Sequence, residues 1–258
     1  MIPDKFDKRV VGKMSSVISS FPELSDKYLR KWGIPISQLE RHLLDYGFHG
    51  GAWSKQMSLQ HLDIKQGIKV LDIGPETGIE MCMLGELGAD LGVIEPDGDN
   101  LHLLRMIATR YVTEAGSVLA DHVDFYKSGF PMDTAKLQAE KRNYTAVLSL
   151  RQKGFPTYYN ISEMNEISLL PGDIDCIFIH KIITTLSRFT GREPYKVLIE
   201  NSKLVWPLLK TGGVMSWTEP AVLLSHLPSK EGLPGNTRKI SYRLPIVNEE
   251  YIQLIISK

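Results

Sequence analysis

Cysteine is scarce: 258 residues hold two, Cys82 and Cys176, both in apolar segments and without CxxC spacing. That excludes a disulfide framework and a cysteine-rich zinc site, and leaves two reduced core thiols. Net charge is absent too, since 30 lysine and arginine residues balance 30 aspartate and glutamate residues. Proteins that neutralise long runs of phosphate carry a basic excess, so no nucleic-acid partner is expected. No stretch of about 18 apolar residues occurs, so neither a membrane-spanning helix nor a membrane partner is expected. The opening MIPDKFDKRVVGK lacks the apolar centre of a secretory signal, and a cytoplasmic location is expected. His42, His61, His102, His122 and His226 show no ligand spacing, so no metal is expected.

What remains is informative in its pattern. Apolar residues make up 43% of the chain, enough for a sizeable core. Residues 1–66 contain no strand pattern. Val17, Ile18, Phe21 and Leu24, then Leu29, Trp32 and Ile34, then Leu39, Leu43 and Leu44 recur at helical spacing. Ser25-Asp26 reads as a helix N-cap, with Gly33 and Pro35 as interruptions. This segment is expected to be an N-terminal helical cap and lid on a second unit, residues 67–258. There, strands are expected at Lys69–Ile73, Leu91–Glu95, Asp175–Ile179, Val214–Trp217, Arg238–Leu244 and Tyr251–Ile256. Helices are expected at Thr77–Leu87, Asp99–Val112 and Tyr195–Leu209. Such alternation predicts βαβ units in an α/β, doubly wound, mostly parallel sheet. Between Ala120 and Pro171, Ala135–Arg142 is a helix candidate, and Thr145–Leu150 and Thr157–Ile161 are strand candidates.

In a doubly wound sheet, ligands bind beyond the carboxyl ends of the strands, where strand order reverses. The first strand runs into Gly74-Pro75-Glu76-Thr77-Gly78, a turn bracketed by glycines and followed by a helix N-terminus that can hold polar groups. The dinucleotide pattern G-x-G-x-x-G is not met. A carboxylate about 20 residues on, ending the second strand, suits a ribose whose hydroxyls donate to it. Glu95, followed by Pro96, holds that place. Turn and acid together point to a ribose-containing cofactor.

At these residues the chain resembles the class I S-adenosylmethionine-dependent methyltransferases, which are Rossmann-like. Their first motif reads acid, any residue, Gly, any, Gly, any, Gly, and Asp72-Ile73-Gly74-Pro75-Glu76-Thr77-Gly78 matches three of its four positions. GDIDCIFIHKIITTLS resembles the family's fourth strand and following helix, and LLKTGGVMSW its Gly-Gly turn and fifth strand. The resemblance spans Gly67 to Lys258. It implies S-adenosyl-L-methionine as cofactor and an antiparallel last strand. It also implies Gly74, Pro75 and Gly78 against the methionine part, Asp72 on its amino group, and Glu95 with Pro96 at the ribose. Glu163, by its spacing to Asp175, would meet the adenine. Glu76 departs from the family, standing where a middle glycine is usual. Either its side chain points away, or it touches the cofactor's charged end, or the loop has lost the cofactor. A Glu is expected to fit here without positive φ, since Pro75 fixes one dihedral in advance.

Methyl transfer is an in-line displacement, so the protein mainly positions the acceptor, and a base is needed only when the acceptor loses a proton. His180, ending the fourth strand, reads as that base beside the cofactor's methyl group or as a strand-end residue bonded to backbone. Tyr46, Phe48, His49 and Trp53 around Gly50-Gly51 read as a lid over the acceptor, or as a linker with Trp53 as its anchor. Trp217 and Glu219, ending the fifth strand, are further substrate-binding candidates, while Lys181 is expected in solvent. The expected function is methyl transfer to O, N or activated C of a small-molecule acceptor. Alternatives are aminocarboxypropyl transfer or cyclisation with the same cofactor, or a non-catalytic cofactor-binding partner subunit. A homodimer stays open as the assembly.

Overall fold

A computed structural model describes residues 8–45, 51–95, 97–126, 172–183, 186–187, 191–224, 232–244 and 249–258. The chain begins with four helices, α1 (Arg9–Ser20), α2 (Pro22–Trp32), α3 (Leu39–Asp45) and α4 (Gly51–Leu59). Then come β1 (Lys69–Ile73), α5 (Ile79–Glu86), β2 (Asp90–Ile94), α6 (Gly98–Ala108) and β3 (Val123–Tyr126). After these follow β4 (Ile174–His180), α7 (Pro194–Val205), β5 (Leu209–Pro220), β6 (Asn236–Leu244) and β7 (Glu249–Ser257). The strands form one sheet in the order β3-β2-β1-β4-β5-β7-β6. It is parallel from β3 to β5 and antiparallel where β7 pairs with β5 and β6. Strand order reverses between β1 and β4.

Alternate strand residues feed two apolar layers. Val70, Val93, Cys176 and Phe178 face one side, where α1 to α6 contribute Met14, Leu24, Leu43, Ala52, Ile79 and Leu104. Leu71, Ile94, Ile177 and Ile179 face the other, against Val197 and Leu198 of α7. Strands buried on both faces need apolar residues at most positions, which is why β1 and β4 are mostly apolar. Both cysteines are buried and unbridged. No helix among the described residues is long and apolar enough to cross a membrane.

Several elements differ from the sequence reading. Helix α2 begins at Pro22, ahead of the Ser25-Asp26 cap, because a proline's missing N–H costs nothing in a first turn. Asp26 instead pairs with Arg30. Gly51, expected in a flexible lid, is buried and opens α4. The third strand is β3, earlier than both candidates in the middle of the chain, which with the helix candidate Ala135–Arg142 lie outside the described residues. Finally, β5 already pairs at Leu209 with Ile174, and the register shifts before Cys176 meets Val214. Gly212 has φ 80° within that irregularity, and a Cβ on Gly213 would lie 2.9 Å from the Asp175 carbonyl oxygen.

Candidate functional site

Side chains alternate along a strand, so residues in register share a face. Asp72 pairs with Phe178, and His180 with Thr218, which sets Asp72, His180 and Thr218 on the α1–α6 side of the sheet. Glu95 continues β2 with the parity of Val93, its N–H donating to the Tyr126 carbonyl. The carboxyl ends of β1, β2, β4 and β5 therefore direct these polar side chains toward the helical cap.

The loop after β1 is built on left-handed backbone. Gly74 has φ 73° and Gly78 φ 84°. A Cβ on Gly74 would sit 2.8 Å from Ile182 Cδ1, and one on Gly78 2.7 Å from Leu104 Cδ2. The left-handed conformation favours glycine at both positions, and a Cβ would also push the Ile182 and Leu104 side-chain tips aside. Glu76 between them also has positive φ, 45°. This corrects the expectation that the turn spares it: Glu76 adopts the glycine conformation, at a cost of about 1–2 kcal/mol. Asn100 of α6 holds it there, donating from Nδ2 to the Glu76 carbonyl at 2.8 Å. Gly78→Ala is expected to destabilise the fold by about 1–2 kcal/mol through the left-handed φ, with the Leu104 tip shifting to make room. Denaturant unfolding at constant slope would measure it.

Two buried carboxylates flank the loop. Glu95 is 2% exposed. Its Oε1 accepts from the Asp97 N–H at 3.0 Å and its Oε2 from Asn100 Nδ2 at 2.9 Å. Burial nevertheless lifts its carboxyl to about 7, against the pull of those donors. Asp72 is 1% exposed, and burial, reinforced by the nearby Glu80 charge, raises it well above the ordinary range. Asp72 Oδ2 and Thr77 Oγ1 are buried and make no hydrogen bond among the described residues. Each such atom costs about 1–3 kcal/mol while it lacks a partner.

Helix α4 closes this end of the sheet with polar contacts. Ser54 Oγ lies 2.8 Å from His180 Nε2, and the imidazole stacks on Phe178 with ring centroids 6.2 Å apart. Ser58 Oγ lies 2.8 Å from Thr218 Oγ1 and 2.9 Å from the Tyr242 hydroxyl. Gln253 Nε2 donates to the Ser58 carbonyl and to Ser216 Oγ. Lys55 Nζ pairs with Glu80 Oε2 at 2.5 Å, and both side chains are within 5% of complete burial. Burial raises the Glu80 carboxyl and Lys55 opposes the rise.

The remaining candidates are distributed differently. Trp217 and Glu219, expected against the acceptor, have the opposite strand parity to His180. Trp217 is fully buried in the α7 layer, its Nε1 donating to the Met215 sulfur. Glu219 is fully buried, and its Oε1 accepts the Ile183 N–H at 2.7 Å just after β4. Trp53 packs half-buried against the cluster of Met57, Tyr242, Leu244 and Tyr251, as an anchor would. Lys181, expected in solvent, is half-buried with φ 58° and its Nζ 5.0 Å above the Tyr251 ring. Burial, helped by Lys55, pushes its amine down to about 7, while Glu76, Glu219 and Glu249 pull it up. Tyr46, Phe48, His49, Pro96 and Glu163 lie outside the described residues. The spacing argument for Glu163 assumes a third strand just ahead of it, whereas β3 ends at Tyr126. Sequence reasoning missed Ser54, Lys55, Glu80 and Asn100. The available signals were Glu80's position in the first turn after Gly78 and Asn100's place just behind the Asp97 N-cap.

No family model matches the chain, and neither does any curated protein. Solved structures share its fold. A methyltransferase from Pyrococcus furiosus superimposes with TM-score 0.53 at 14% identity, over 92% of this chain and 99% of that one. A predicted O-methyltransferase from Agrobacterium tumefaciens gives TM-score 0.50 at 10% identity over 80% of each chain. A SAM-dependent methyltransferase from Aquifex aeolicus gives TM-score 0.47 at 12% identity, over 98% of this chain and 99% of that one. The first two likenesses and the strand order show a Rossmann-like methyltransferase fold.

Proposed function

We propose that this chain is an S-adenosylmethionine-dependent methyltransferase that moves a methyl group to a small-molecule acceptor. The observation that carries the reading is the buried Asp72 Oδ2, without a hydrogen bond among the described residues, at the point where strand order reverses. S-adenosylmethionine brings an ammonium group for that oxygen and two ribose hydroxyls for Glu95. The donor set fits: Asp72 holds the amino group, the backbone of Gly74 to Gly78 follows the methionine part, and Glu95 holds the ribose. When bound, the cofactor supplies an electrophilic methyl group on a sulfonium, which the acceptor displaces in line.

The chain's own residues supply burial, orientation and proton handling. His180 Nδ1 takes up the proton that a hydroxyl or acidic-carbon acceptor must lose, while Nε2–H donates to Ser54 Oγ, whose own proton goes to the Gly51 carbonyl, and so fixes the ring's orientation. Helix α4 keeps water from the carboxyl end of β4. The balanced charge of the chain favours a small metabolite over a polyanion, and the two buried thiols suit a reducing cytoplasm.

Calorimetry with S-adenosylhomocysteine tests the cofactor step, and a wild-type chain that fails to bind it overturns the reading. With a turned-over acceptor, S-adenosylhomocysteine is the expected product, whereas methylthioadenosine would indicate a different reaction. For an acceptor hydroxyl, His180→Ala is expected to lower kcat about 10²–10⁴-fold with S-adenosylhomocysteine affinity retained. Equal kcat in the variant would remove His180 from the chemistry.

A further inference from the structure

We propose that Lys55 binds the carboxylate of the cofactor's amino-acid arm, so that Asp72 and Lys55 together recognise that arm as a zwitterion. The inference rests on the S-adenosylmethionine reading of the site and makes the helical cap part of the cofactor pocket.

Lys55 comes from α4, outside the strand-loop-helix unit that forms the loop, yet only 4% of it is exposed. Among the described residues its ammonium makes one contact, to Glu80, and an ammonium has three donors. Burying a lysine against a single carboxylate recovers little of the hydration both lose. A second anionic partner completes that exchange. The Asp72 carboxylate lies within electrostatic reach of Lys55, Glu80 and Glu95, and Glu76 acts on Glu80 and Glu95. A ligand carboxylate entering among four carboxylates requires a cation beside it. Lys55 acts on both Asp72 and Glu80, while the other lysine of this region, Lys181, sits over the Tyr251 ring. Asp72 then takes the ammonium of the arm and Lys55 its carboxylate, each with the charge it lacks.

The test compares two ligands by calorimetry: S-adenosylhomocysteine, which carries the arm, and methylthioadenosine, which does not. Lys55→Met is expected to weaken S-adenosylhomocysteine about 10- to 100-fold, the worth of one charge-assisted pair, and to leave methylthioadenosine nearly unchanged. The double variant Lys55→Met/Glu80→Met, which replaces the ion pair by an apolar pair and keeps the helix docked, should show the same selective loss. Equal weakening of both ligands, or no weakening of either, overturns the role of Lys55 and leaves the cofactor reading intact. A wild-type chain that binds neither ligand overturns the cofactor reading itself.

Discussion

Glu80→Ala is expected to lower the unfolding free energy by about 3–5 kcal/mol, because it strands the buried Lys55 ammonium without a counter-charge. The cause is the place of the pair. Glu80 stands in the first turn of α5 and Lys55 in the middle of α4, so the contact fastens the cap helix to the loop helix. Water cannot replace the carboxylate at a side chain 5% exposed. Exchanging both partners for methionine should return most of the loss, since two apolar groups of similar volume avoid desolvation altogether. Urea unfolding of the wild type, the single variant and the double variant separates these cases. A single variant that loses only about 1 kcal/mol would behave like a solvated surface pair. The docking of α4 would then belong to its Ser54, Ser58 and Gln253 contacts.

The contrast between fold and site shows what a sequence discloses. β1 appears at the expected residues, and β2, β4 and β7 lie within a residue or two, because strands buried on both faces are apolar at most positions. β3 escaped notice because Val123-Asp124-Phe125-Tyr126 is too short to display a period. Gly74, Gly78 and Glu95 were legible, since their chemistry sits at fixed distances along one strand-turn-helix-strand unit. Lys55 and Ser54 were not. A lysine in a helix reads as a solvated residue until the fold lays that helix across the strand ends. The turn of Trp217 and Glu219 away from the face of His180 has a simpler origin. Ending the correct strand is insufficient; a residue must also share the parity of Asp72 and His180, and a one-residue step turns its side chain to the other face, where Trp217 joins the α7 layer. Glu76 carries a different lesson. Its identity hid a left-handed backbone that the family's glycine would have announced, and the Asn100 bond that holds it comes from another helix.

Glu95→Gln is expected to weaken S-adenosylhomocysteine binding by at least ~100-fold near pH 8, and yet to make the ligand-free protein more stable. Both effects have one cause. Burial lifts the Glu95 carboxyl from an ordinary 4.5 to about 7, so the folded chain holds that proton more tightly than the unfolded chain does. The resulting stabilisation is fully present below about pH 4.5 and is lost as the pH rises through 7. Above that range, keeping the carboxylate ionised in its 2%-exposed site costs roughly 3 kcal/mol. Glutamine never ionises and escapes that cost. It also cannot accept from Asn100 Nδ2 with its own amide nitrogen, which takes back about 1 kcal/mol. The net gain is therefore about 1–2 kcal/mol near pH 8, and it should vanish or reverse near pH 5. Binding follows the opposite course. The ionised form accepts the ribose hydroxyls, so wild-type affinity should rise between about pH 6 and pH 8, with a proton released on binding. Calorimetry in buffers of different ionisation enthalpy counts that proton, and thermal unfolding across the same range tracks stability. A variant that binds like the wild type would remove Glu95 from the ribose. One whose stability differs from the wild type equally at both pH values would show that its carboxylate carries no burial penalty. The paired outcome, lost binding with gained stability, requires that this carboxylate be held buried for a ligand, since the ligand-free fold is better off without its charge.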